Sequence, residues 1–130
     1  MDKRYSKKNN LTFNCTYRIV FCPKYRRKVL VNGIDKRCEE LLHEKARLHE
    51  WEIINCEVKS DSVDLVIRAT PNDAPNFIVS QLKTYTAFTL RNEFPHLKSQ
   101  LPCLWTRRYY VETIGEETDI EQFLLEQKKR

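Results

Sequence analysis

Between Leu11 and Cys22 apolar and polar side chains alternate loosely, with β-branched and aromatic residues at Phe13, Tyr17, Ile19, Val20 and Phe21, and the run stops at Pro23. Proline has no amide proton to give to a sheet ladder, so this pattern predicts a first strand over residues 11–22. Asn32 and Gly33 mark a turn, after which Ile34, Cys38, Leu41, Leu42 and Leu48 recur among charges with the period of a helix buried along one side. Two β-like runs follow, 51–58 and 62–69, and Lys59, Ser60 and Asp61 between them suit the turn of an antiparallel hairpin. Beyond the helix-breaking segment from Pro71 to Pro75 the helical period returns from Asn76 to Asn92, with Ile78, Leu82 and Tyr85 on a common face and Pro95 closing it. A fourth strand is predicted from Leu104 to Thr113. A last helix begins at Thr118, which forms a capping box with Glu121. It carries Ile120, Phe123, Leu124 and Gln127 along one side and ends on Lys128, Lys129 and Arg130, cations that suit a helix C-terminus.

The order β-α-β-β-α-β with an additional helix predicts an α+β fold of the ferredoxin-like, split βαβ type: an antiparallel sheet with helices on one face plus a C-terminal helix. Residues 1–130 fit one domain, large enough to bury roughly two thirds of its unfolded surface. The hydrophobic fraction is 41%, in runs of a few residues that fall short of the roughly 20 needed to cross a bilayer. The basic start, Met1 to Lys8, leads into Asn9 and Asn10 instead of an apolar core, so neither a membrane span nor a secretory leader is expected. Five cysteines (Cys15, Cys22, Cys38, Cys56, Cys103) are odd in number and lack both a Cys-x-x-Cys pair and histidines at zinc spacing. They predict a cytoplasmic protein whose reduced thiols act as small buried hydrophobes. His43, His49 and His96 are scattered and read as surface residues. The net charge of +5 is unevenly spread: Lys24, Arg26, Arg27 and Lys28 surround Tyr25, a combination that favours a polyanionic partner.

The segment from Tyr17 through Pro23 and Lys24-Tyr25-Arg26-Arg27-Lys28 to Leu30 resembles the opening strand and basic loop of the single-tyrosine HUH transposases of bacterial insertion sequences, the TnpA-type, IS200-like group. The likeness continues through Phe94 to Ser99, Leu104-Trp105-Thr106 and Tyr109 to Gly115, and into the helix that holds Gln127. It implies a ferredoxin-like homodimer that binds DNA hairpins formed by single-stranded transposon ends. In active members two histidines on a strand and a helical glutamine hold magnesium or manganese, which polarises the scissile phosphate, and a tyrosine attacks to give a 5′-phosphotyrosine.

This sequence departs from that pattern at the positions that carry the chemistry. The expected aspartate-histidine-hydrophobe-histidine run is Asp61-Ser62-Val63-Asp64, so Ser62 and Asp64 stand where imidazoles should, and the tyrosine position is Phe123, four residues before the retained Gln127. Phenylalanine has no oxygen with which to form a phosphodiester. The expectation is a transposase-like DNA-binding protein with DNA transposition and recombination chemistry lost, no resident metal, and Asp64 and Gln127, helped by Asp61, as weak oxygen ligands at most. Phosphate contacts are expected from Lys24, Arg26, Arg27, Lys28, Lys83, Arg107 and Arg108, with Tyr25 or Trp105 open to stacking on unpaired bases, although a core position is favoured for Trp105. DNA is the expected partner, with RNA left open. Two alternatives remain at this point: a metal-dependent transposase or nuclease with a remodelled site, or an inhibitory partner of an active transposase.

Overall fold

A computed structural model describes residues 6–8, 11–13 and 15–115. The expected terminal helix, with the capping pair Thr118 and Glu121 and the site positions Phe123 and Gln127, lies outside the described residues. The predicted first strand divides in two. Strand β1 (Ser6–Lys8) pairs antiparallel with β2 (Leu11–Phe13) in a small ribbon, while β3 (Cys15–Pro23) joins the main sheet. Alternation marks both parts as extended but carries no information about which partner each one finds.

The chain continues through α1 (Ile34–Leu48), β4 (Glu52–Lys59), β5 (Ser62–Ala69), α2 (Pro75–Glu93), a short α3 (His96–Gln100) and β6 (Trp105–Ile114). Helix α1 starts behind Gly33, whose φ of 95° lies in the left-handed region that glycine enters without steric cost. Helix α2 has Pro75 in its first turn, where a missing amide proton costs nothing. Helix α3 was not predicted; it is a single turn that follows Pro95. The main sheet has the order β4-β5-β3-β6 with every neighbouring pair antiparallel, the topology of the expected α+β split βαβ fold.

Alternation along the two central strands sorts side chains between the faces. Ile19 and Phe21 of β3 and Val63, Leu65, Ile67 and Ala69 of β5 form one core with Cys38, Leu41, Leu42 and Ala46 of α1 and Ile78, Val79, Leu82 and Leu90 of α2. Trp105 belongs to this core as well, in line with the core packing favoured for it over base stacking: it is 5% exposed, and Phe21 meets it edge-on at 4.8 Å. Its indole N–H donates to Thr86 Oγ1 at 2.9 Å, and the Thr86 hydroxyl donates to the Leu82 carbonyl at 2.7 Å, so the buried polar atoms are satisfied. Trp51 is held similarly, its N–H donating to Asp73 Oδ2 at 2.8 Å. The opposite face carries a second, small cluster of Val66 and Ile114 with Ile54 against it.

The thiols depart from expectation. Cys38 is buried, but Cys15, Cys22 and Cys56 are only partly covered and Cys103 is exposed, because Cys103 falls in the irregular stretch ahead of β6, outside any core-facing period. No helix among the described residues is long and apolar enough to cross a membrane.

Leu82 is wholly buried and Phe88, on the same helix, is 72% exposed. Leu82→Ala is expected to cost about 2–5 kcal/mol in urea unfolding and Phe88→Ala less than about 0.5 kcal/mol. Equal losses would contradict this assignment of the core.

Candidate functional site

Ser62 and Asp64 alternate with the core residues Val63 and Leu65 of β5, so they lie on the sheet face turned away from α1 and α2. The ladders set Asp64 opposite Val20 on β3 and opposite Glu57 on β4. Arg18 shares this face two residues before Val20, and β6 brings Glu112 directly opposite it. The Arg18 guanidinium grips Asp64 with both ends: Nε donates to Oδ1 at 3.2 Å and Nη2 to Oδ2 at 2.8 Å. Its Nη1 lies 3.7 Å from Glu112 Oε1, and the group sits 5.8 Å from the centre of the Tyr110 ring. The Tyr110 hydroxyl donates to Glu112 Oε2 at 2.8 Å.

The charges of this cluster act on one another. The Arg18 and Asp64 side chains are 20% and 15% exposed, so their mutual hydrogen bonds are partly desolvated. Hydrogen bonding to Asp64, followed by the charges of Asp64 and Glu112, holds the Arg18 guanidinium above its usual range against the opposing effect of burial. The bond to Glu112 is the main reason the Tyr110 hydroxyl is also raised, so it stays a neutral donor. Asp61, the other carboxylate considered as a metal ligand, accepts a hydrogen bond from Arg26 Nη2 at 3.3 Å. Among the described residues, no trio of histidine, cysteine, aspartate or glutamate donors close enough to hold a metal includes Asp61 or Asp64. Arg18 escaped the sequence reading because its partnership with Asp64 crosses 46 residues and depends on strand register.

The basic loop is built differently. Pro23 ends β3, and the chain turns with left-handed backbone at two consecutive side-chain-bearing residues, Tyr25 (φ 61°) and Arg26 (φ 51°). Such a conformation costs about 1–2 kcal/mol per residue and persists only where its surroundings enforce it. The enforcement is visible on both sides. The Lys24 N–H donates to the Leu104 carbonyl at 2.8 Å, the Leu30 N–H donates to the Ser60 carbonyl at 3.0 Å, and Val29 and Leu30 are buried. Between these anchors Tyr25, Arg26, Arg27 and Lys28 stand exposed, with Tyr25 at 69% and the Lys24 ammonium 5.4 Å from its ring centre. Arg107 and Arg108 are also exposed, at the end of β6 that pairs with Pro23, so they share the loop's end of the sheet.

Lys83, expected among the phosphate-binding cations, faces inward. Its ammonium donates to the carbonyls of Thr106 at 2.6 Å and Arg107 at 3.4 Å, and lies 5.6 Å from the Tyr109 ring centre. Burial lowers its pKa. It ties α2 to the start of β6, because that stretch of β6 presents carbonyls that a long, flexible side chain can reach.

The remaining histidines find local partners: His49 stacks on Trp51 at 4.3 Å, and His96 meets Phe94 edge-on at 6.4 Å. His43 is different, since α1 brings it together with Glu39 beside Cys56 of β4. The sequence reading missed this trio because its members come from separate elements. Burial pushes the Cys56 thiol up to about 12, so in the unliganded protein it is a neutral group and a poor nucleophile.

Comparison with known proteins settles the ancestry of this arrangement. The family model for IS200-like transposases matches residues 11–127. This chain belongs to the IS200-like transposases. Relatives include the ISDra2 transposase TnpA of Deinococcus radiodurans, 32% identical over 108 residues that span 82% of this chain and 77% of the relative. The transposase of insertion sequence element IS200 from Salmonella typhimurium is 30% identical over 111 residues, with 82% and 71% covered. A crystal structure of a protein from Deinococcus radiodurans R1 assigned as a transposase superposes with a TM-score of 0.78 at 30% identity, covering 94% of this chain and 97% of that one. A REP-associated tyrosine transposase solved with a REP hairpin shares the fold, with a TM-score of 0.63 at 13% identity over 91% of this chain and 67% of that one.

For this IS200-like transposase, Arg18→Ala is expected to destabilise the fold by about 1–3 kcal/mol in chemical denaturation, because it strands a partly buried carboxylate. The double variant Arg18→Ala/Asp64→Ala should recover part of that loss. Strict additivity of the two single substitutions would rule out the coupling.

Proposed function

We propose that this IS200-like transposase is a DNA-binding protein that takes single-stranded hairpins as a homodimer and lacks the strand cleavage of its active relatives. The observation that carries this reading is the Arg18–Asp64 pair. Where the family likeness calls for a neutral imidazole donating a lone pair to a divalent ion, there is a carboxylate already bound at two points by an internal guanidinium at 2.8 and 3.2 Å. A guanidinium supplies positive charge but has no empty orbital for a phosphate oxygen, so it replaces the charge of a metal without its Lewis acidity. Ser62 at the companion position offers only a weak neutral ligand, and Phe123 at the tyrosine position offers no nucleophile. On this reading the protein holds no magnesium or manganese at that site.

The same ion pairs weigh against a remodelled, water-driven nuclease. Recruiting Asp64 or Asp61 to a metal means breaking hydrogen bonds to Arg18 or Arg26, and among the described residues neither carboxylate belongs to a trio of donors close enough to hold a metal. Binding, in contrast, is supported by groups left facing solvent. Lys24, Arg26, Arg27 and Lys28, with Arg107 and Arg108, present cations at one end of the sheet, and Tyr25 offers a ring face for an unpaired base. Backbone strain concentrated at Tyr25 and Arg26 supports a selected loop shape, since such strain clusters at working sites. Lys83 is assigned to holding β6, not to phosphate. The hairpin and the homodimer are drawn from the family likeness, and the structural neighbour solved with a REP hairpin supports the former.

Labelled hairpin, unstructured DNA and matching RNA oligonucleotides, each incubated with the protein with and without magnesium or manganese, test both halves of the proposal. Hairpin-selective DNA binding with intact strands is the expected result, and a nicked product would overturn the loss of cleavage. Changing Lys24, Arg26, Arg27 and Lys28 together to alanine should weaken binding and flatten its salt dependence, by about 0.7 in the log-log slope for each phosphate no longer neutralised. Lys83→Ala should lower the melting temperature and leave that slope unchanged; a flattened slope would return Lys83 to the interface.

A further inference from the structure

The trio Glu39, His43 and Cys56 lies on the helix-covered side of the sheet, whereas Ser62 and Asp64 lie on the opposite face. Glu39 and His43 are four residues apart on α1, so carboxylate and imidazole project from the same side of the helix one turn apart. Cys56 reaches them from β4, the edge strand of the sheet. Its orientation depends on an irregularity: the register of β4 against β5 shifts between Ile53 and Asn55, which exchanges the faces of the residues that follow. Ile53 before the shift and Cys56 and Val58 after it all pack on the main core, a pattern that unbroken alternation does not allow. One candidate ligand atom from each of the three residues lies within 4.8 Å of the other two.

We propose that Glu39, His43 and Cys56 form a zinc site that clamps α1 to the edge strand, its fourth position open to water. One nitrogen, one sulfur and one oxygen donor suit a tetrahedral, borderline-soft divalent ion better than magnesium or calcium, which take oxygen cages. Two of the three residues, Glu39 and His43, also line an open cleft of about 400 Å³ together with Lys36, Glu40 and Arg47. Lys36 and Arg47 offset the acidic groups of that cleft, and Glu40 is engaged by Arg37 at 3.1 Å, so no strong field draws cations in. Affinity must then come from the ligand bonds themselves, which again favours an ion that prefers thiolate and imidazole. On binding, the Cys56 sulfur forms its bond to zinc and its proton leaves to solvent. Because α1 and β4 meet only when the chain is folded, zinc binds the native state and stabilises it.

The purified full-length protein, stripped with a chelator, is titrated with zinc against a chromophoric competitor and separately with cobalt(II). One equivalent should bind, cobalt should give the intense near-ultraviolet band of a thiolate ligand, and zinc should raise the melting temperature. Cys56→Ser and His43→Ala should each weaken zinc binding at least about tenfold, while Cys103→Ser, which removes an exposed thiol outside the trio, should leave it unchanged. His43 is not a core residue, so its variant remains informative if Cys56→Ser folds poorly. Absence of one-equivalent binding, a cobalt spectrum without the thiolate band, or undiminished binding in the His43 variant would overturn the site. DNA binding plays no part in these readouts, so the proposed function and the zinc site stand or fall separately.

Discussion

Strand β3 must satisfy four neighbours at once. It hydrogen-bonds β5 along one edge and β6 along the other, sends Ile19 and Phe21 into the core beneath the helices, and sends Thr16 and Arg18 to the opposite face. A slip of one residue would exchange those faces and place a guanidinium among leucines, a cost of several kcal/mol that fixes the register. With that register set, Asp64 and Glu112 follow on either side of Arg18 with little further freedom. The end of the strand follows too: Pro23 closes the ladder, and the basic turn begins where it closes.

Within this frame the polar face carries a linked set of charges, with Arg18 between Asp64 and Glu112 and the Tyr110 hydroxyl on Glu112. The Asp64 carboxylate is a charge that needs a partner near the sheet surface, and Arg18 meets it with two hydrogen bonds. Metal and guanidinium are alternative answers to the same electrostatic demand. A carboxylate held by the second is poorly placed to recruit the first.

The basic residues divide by geometry in a way that charge alone hides. Lys24, Arg26, Arg27 and Lys28 lie on a turn pinned at its ends by backbone bonds to Leu104 and Ser60, with Lys24 partly covered and the other three exposed. Lys83 has the same charge, but it sits on α2 above the carbonyls at the start of β6 and is partly desolvated there. Lys83 is engaged by backbone carbonyls while Arg26, Arg27 and Lys28 are exposed, and the difference lies in what surrounds each cationic group.

The sequence by itself determined the element order, because hydrophobic period is a local property: the limits of α1 and β5 emerge at Ile34 to Leu48 and Ser62 to Ala69 from alternation and helical spacing alone. It also determined which atoms two positions lack in any fold, since Ser62 has no imidazole and Phe123 no hydroxyl. What surrounds each residue was decided only by the tertiary structure. Leu11 to Cys22 looks like one strand, yet its two parts join different sheets. Trp105 reads in sequence as core more readily than as a stacking residue, and the approach of Phe21 and Thr86 decides for core. Arg18 finds Asp64 across 46 residues, and Cys56 turns toward His43 because of a register shift against β5. Strand register and helix docking are set by summed contacts between distant segments, and no local window of sequence contains those sums.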